Sequence, residues 1–147
     1  MSLDSERLDL LVRVADSKTE NAAKDLLRQR AHLRDQVARL DELCGYLSEY
    51  RSRPIPASPQ MIANRERFLA RLAEAETQQR KIVAQAEAAV EGATRSWGDR
   101  RRDGEKFETL QQGAQAREAK VEERRAQGGL DEFAVRGFVK QRAALHE

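Results

Sequence analysis

All three prolines of the chain stand within Arg53-Pro54-Ile55-Pro56-Ala57-Ser58-Pro59. Proline lacks a backbone N–H and disfavours helical geometry in the residue before it. Both flanks of this cluster carry helical periodicity. The cluster therefore predicts a reversal: one long helix, a proline-rich tip, and a longer helix running back. The expected fold class is all-α, a long two-helix antiparallel coiled-coil hairpin whose second helix is the longer. It is expected to form a single domain over residues 1–147. The first helix is placed at about 4–51, the tip at 52–59, the second helix at about 59–127, and a short or disordered tail at 128–147.

Ahead of the tip, apolar residues recur in alternating steps of four and three. The seam reads Leu8, Val12, Ala15, Thr19, Ala22, Leu26, Gln29, Leu33, Gln36, Leu40, Leu43, Leu47 and Tyr50. Only Thr19, Gln29 and Gln36 interrupt its apolar character. A pattern sustained for about six heptads is a strong coiled-coil signal. Ser2 or Asp4 is the expected start, since either side chain accepts hydrogen bonds from free amides, and Asp4 and Glu6 suit a positive helix end.

Beyond the tip, Ser58-Pro59 reads as a restart, with serine as N-cap and proline in the first helical position. The second seam reads Phe68, Leu72, Ala75, Gln79, Ile82, Ala86, Val90, Ala93 and Trp97, then Phe107, Leu110, Ala114 and Val121. Its phase slips near Ala89-Val90. Gln127-Gly128-Gly129 is the expected stop. Past it, residues from Leu130 to Arg136 suit a short terminal helix capped by Asp131. Folding about the tip pairs residues whose numbers sum to about 112. Leu43 then meets Phe68 or Leu69, Leu40 meets Leu72, Leu26 meets Ala86 and Ala15 meets Trp97. At ~1.5 Å per residue the first helix runs about 70 Å and the second about 100 Å, so residues from about Glu108 need a partner or are mobile.

Composition fits such a seam better than a round core. Charged residues make up 35% of the chain and aromatic ones 5%; mean hydropathy is −0.79. A helix pair needs only a narrow apolar stripe, and its other faces can be charged. The 27 basic and 25 acidic residues are interleaved, which suits solvated helix faces rather than a nucleic-acid footprint. No nucleic-acid partner is expected. The single cysteine, Cys44, permits no internal disulfide. No apolar run reaches the roughly 18–20 residues that span a membrane, and the N-terminus lacks the regions of a signal peptide. A cytoplasmic protein is the expectation.

Chemistry-bearing patterns are sparse. His32 and His146 are far apart, Cys44 has no histidine at a helical neighbour position, and no phosphate loop, metal-binding spacing or nucleophile elbow occurs. Arg100-Arg101-Arg102 sits among Asp99, Asp103 and Glu105 and reads as a solvated face. No catalytic residue, cofactor or metal is assigned, and the chain is not read as an enzyme. Tyr46 and Tyr50, the only tyrosines, stand near the tip, where Phe68 and Leu72 return. This aromatic-apolar group is either the tip's own core or a docking patch, since aromatic residues often anchor interfaces.

Ordered pieces of the chain resemble the FliJ family, the small coiled-coil component of the bacterial flagellar export apparatus. Before the tip stands Tyr46-Leu-Ser-Glu-Tyr50-Arg51. After it come Asn64-Arg-Glu-Arg-Phe68-Leu-Ala-Arg-Leu72 and Gln78-Gln79-Arg80. Ser96-Trp97, Leu110-Gln111 and Asp131-Glu132-Phe133-Ala134 with Arg136 follow in order. The resemblance implies an antiparallel coiled-coil hairpin working with the flagellar export ATPase ring, similar in shape to the central stalk of rotary ATPases. It implies further partners in the cytoplasmic domain of the export gate and the export chaperones, and a membrane association made only through that apparatus. The family's partner-binding face maps to Arg39, Leu43, Tyr46 and Tyr50 before the tip, and to Phe68, Leu72, Ala75 and Gln79 after it.

Two other readings fit the same pattern. One is the equivalent stalk of a virulence-type secretion system. The other is an autonomous dimeric scaffold in which two hairpins form a four-helix bundle.

Overall fold

The computed structural model describes residues 3–145. Two helices, α1 (Leu3–Ser52) and α2 (Pro59–Leu145), are the only regular elements among these residues. The all-α class and the longer second helix, 87 residues against 50, are as the sequence predicts. Asp4 and Glu6 lie in the first turn of α1; Ser2, the other candidate start, lies outside the described residues. At the restart the Ile62 N–H donates to the Ser58 carbonyl at 3.0 Å. This leaves Ser58 as the N-cap and Pro59 in the first helical position, where a missing N–H costs nothing.

The far end of α2 corrects the sequence reading. The helix does not stop at Gln127-Gly128-Gly129 but continues to Leu145. A glycine stop needs a left-handed residue after the last turn. Among the described residues no glycine has a positive φ. Gly128 and Gly129 are therefore ordinary helical residues, and every described residue beyond them is exposed.

The chain forms two compact units. One comprises Lys18–Arg100; the other joins the segment ending at Ser17 to the segment beginning at Arg101. In the first, Leu26 and Leu47 of α1 and Val83, Ala86 and Ala93 of α2 are buried, together with Gln36 and Gln79. In the second, Ser5, Ala15, Gly104 and Ala114 are buried. Two polar pairs there join the antiparallel helices: Ser5 Oγ donates to the Glu118 carboxylate, and Gln111 Nε2 donates to Asp9 Oδ1.

Every α1 seam residue named from the sequence, Leu8 through Tyr50, is buried or half-buried. The α2 seam differs. Ile82 is exposed while Val83 is buried; Phe68 is exposed beside a half-buried Leu69; Leu110 and Val121 are exposed, while Gln111 is half-buried. One line of shielded positions runs through Ile62, Arg65, Leu69, Leu72, Glu76, Gln79, Val83, Ala86, Val90, Ala93 and Trp97, then Gly104, Phe107, Gln111, Ala114 and Glu118, with small residues such as Ala63, Ala73, Ala75 and Ala89 half-buried beside it. The line keeps one alternation of three and four, without the phase slip expected near Val90. The apparent slip came from choosing an apolar residue one position before the seam, either beside a polar seam residue, as Leu110 beside Gln111, or beside another apolar one, as Phe68 beside Leu69 and Ile82 beside Val83.

The cross-helix register also shifts. Gln36 pairs with Gln79, where folding about the tip places Glu76. Arg65 reaches the end of α1, where the same rule places Met61 or Ile62. The first turn of α2 therefore serves the loop, and pairing starts about one turn later.

Candidate functional site

The end of a helix leaves backbone carbonyls without intrahelical partners. At the end of α1 two side chains supply donors to three of them. Arg65 Nη2 donates to the carbonyls of Tyr50 and Arg51 at 3.2 and 3.0 Å, and Ser52 Oγ donates to the Glu49 carbonyl at 2.8 Å. A guanidinium suits this place twice, because its charge also complements the negative end of the helix dipole. Arg53 folds back as well. Its guanidinium lies 4.1 Å from the centre of the Tyr50 ring and bonds Glu49 Oε1 at 3.2 Å.

Tyr50 meets Phe68 edge to face, with ring centres 4.7 Å apart and planes at 71°. Aromatic pairs prefer this geometry because the positive edge of one ring meets the negative face of the other. The pair is only partly covered: Tyr50 is half-buried, Phe68 is 41% exposed, and Tyr46, one turn earlier on α1, is 52% exposed. The group is thus a piece of the tip's own packing that still presents aromatic surface to solvent.

The eight residues mapped from the sequence all lie in the Lys18–Arg100 unit. Arg39, Tyr46 and Phe68 are exposed; Leu43, Tyr50, Leu72 and Ala75 are half-buried. Gln79 stands apart. It is 8% exposed, and its Nε2 donates to both the backbone carbonyl and the side-chain Oε1 of Gln36, at 3.0 and 2.8 Å. Its side chain is committed within the hairpin, which leaves Tyr46 and Phe68 as the accessible centre of the group.

Sequence reasoning missed the polar framework of this region. Arg65 was quoted only within the Asn64–Leu72 motif and given no role, although counting back from Gln79 in strict steps of three and four reaches it. Arg80, quoted only as part of a motif, bonds Glu76 Oε1 at 2.7 Å and approaches Cys44 Sγ at 3.8 Å. The Arg80 hydrogen bond holds the Glu76 carboxyl below the usual carboxylate range. Among the described residues, no group of three or more His, Cys, Asp or Glu side chains is placed to hold a metal ion. Among the same residues, no helix is long and apolar enough to cross a membrane.

A search of curated proteins finds no match. A family model described as the flagellar FliJ protein matches residues 4–143, a span covering both helices, the tip and the aromatic group beside it. With that match added to a two-helix all-α fold, the chain belongs to the FliJ family, a non-catalytic component of the flagellar export apparatus.

Proposed function

We propose that the chain is a stalk and adaptor of flagellar protein export, a cytoplasmic protein that reaches the membrane only through the apparatus. The family match over residues 4–143 carries this reading. The mechanism is differential binding. A coiled coil that fits the assembled export ATPase ring better than its separated subunits shifts the equilibrium toward the ring. No reaction on this chain is required. The end carrying both termini engages the ring. The aromatic group at the tip, with Tyr46 and Phe68 at its centre, meets export chaperones or the cytoplasmic domain of the export gate. Partly exposed aromatic side chains held by their own packing suit that use, because they contribute large contact area at small entropic cost.

The test is ATP turnover by the cognate flagellar export ATPase, with and without this protein, while light scattering follows ring assembly. The reading expects both to rise and expects truncation after Glu108 to remove most of the rise. Tyr46→Ala with Phe68→Ala should leave this stimulation in place while weakening chaperone or gate binding. Absence of binding and of stimulation would overturn the stalk assignment.

A further inference from the structure

The last sixteen described residues of α2 carry an apolar stripe with no cover. Leu130, Phe133, Phe138 and Leu145 are each at least 64% exposed. At about 100° per residue, they fall with Ala134 and Gly137 on one face roughly 140° wide. This face is not a continuation of the seam. Extending the alternation from Glu118 leads to Val121, Arg125, Gly128, Glu132, Val135 and Val139, on the opposite side of the helix. Val135 and Val139 keep the old phase, while the larger Leu130, Phe133, Phe138 and Leu145 lie on the other side, which an extended α1 would not cover.

We propose that this stripe pairs antiparallel with the same stripe of a second copy of the chain. Shape and charge on the segment both select that occupant. A two-fold axis between Gly137 and Phe138 sets each Phe138 against the other copy's Gly137, where no side chain competes for the space. It sets Leu130 against Leu145 and Ala134 against Gln141. The acidic residues, Asp131 and Glu132, open the segment, and the basic ones, Arg136, Lys140 and Arg142, follow. Antiparallel pairing brings Asp131 near Arg142 of the second copy, whereas parallel pairing stacks like charge on like. Such an interface is self-complementary, as a two-fold contact requires. Two sixteen-residue helices bury less than the roughly 1,200–2,000 Å² of a standard stable interface, so the dimer dissociates on dilution. It differs from a four-helix bundle, which would pair the seams.

The test is sedimentation equilibrium of the full chain over a dilution series. Gly137→Leu is the decisive variant. A Cβ at Gly137 meets nothing within 4 Å in the single chain, and leucine favours the helix. The substitution therefore keeps or raises helicity while filling the space Phe138 of the other copy needs. The dimer constant should weaken by at least about tenfold, or ~1.4 kcal/mol. Asp131→Arg should also weaken the dimer, and adding Arg142→Asp to it should restore pairing. A monomer at every concentration would overturn the proposal. So would a dimer indifferent to Gly137→Leu, because its contact would then lie elsewhere. The chain is measured alone, so either failure leaves the export reading untouched.

Discussion

Gln79 shows how much one polar side chain decides in so thin a seam. Among the described residues no large side chain is fully buried, so the apolar contribution of each layer is small and a buried amide weighs heavily beside it. Gln79 Nε2 serves both oxygens of Gln36, and no buried side-chain nitrogen or oxygen among the described residues lacks a partner. Gln79→Ala takes the donor from Gln36 Oε1 and should destabilise by about 1–3 kcal/mol. Replacing both glutamines by leucine should raise the melting temperature instead, while removing the pair that selects this register. Thermal unfolding of the single and double variants separates the two outcomes. Glu76 carries a pH signature. Its carboxyl is held down in the fold by the Arg80 hydrogen bond, so its stabilisation is present above the unfolded-state pKa and is lost as pH falls through the folded one. Melting temperatures of Glu76→Gln and the parent should differ at neutral pH and converge in acid.

For the helices as elements, the end of α1 depends on a residue of α2. Arg65→Ala removes the side-chain bonds to the Tyr50 and Arg51 carbonyls, leaving Tyr50 the long bond from the Arg53 N–H, and should cost about 1 kcal/mol. The last turn of α1 should then exchange its amide hydrogens faster while the middle of the helix keeps its protection. Unchanged exchange there would assign the cap to Ser52 alone. The two helices also differ in how legible they were. Along α1, leucines and alanines occupy most seam positions, and counting apolar residues finds the buried face throughout. Along α2 the face passes through Arg65, Glu76, Gln79, Gln111 and Glu118, while Phe68, Ile82 and Leu110 lie one residue off it. Hydrophobicity there either favours the wrong neighbour, as at Leu110, or fails to choose between two apolar ones, as at Phe68-Leu69 and Ile82-Val83; strict spacing finds the seam. Gly128-Gly129 misled in another way. A glycine pair permits a stop without compelling one, and with φ negative it costs only about 1 kcal/mol per residue of helix propensity.

At the scale of the molecule, five of the seven buried apolar residues among those described belong to the Lys18–Arg100 unit; Ala15 and Ala114 lie outside it. Protection follows burial. Hydrogen exchange should be slowest around Leu26, Leu47, Val83 and Ala86, and fastest from Gly128 onward. Uniform protection along α2 in the dilute free chain would contradict this. The tip aromatics were legible as a group, because Tyr46, Tyr50 and Phe68 are rare residues in an aromatic-poor chain. Their degree of exposure was not, because it depends on the register. The cap at the end of α1 has a practical consequence. Arg65 and Ser52 close α1 and Ser58 opens α2, so Ile55, 75% exposed, sits in a stretch that neither helix needs for its termination. A fluorophore, an affinity tag or a short peptide graft placed there should leave both helices folded, which makes the turn a site for attaching a reporter to the protein within the assembled export machine.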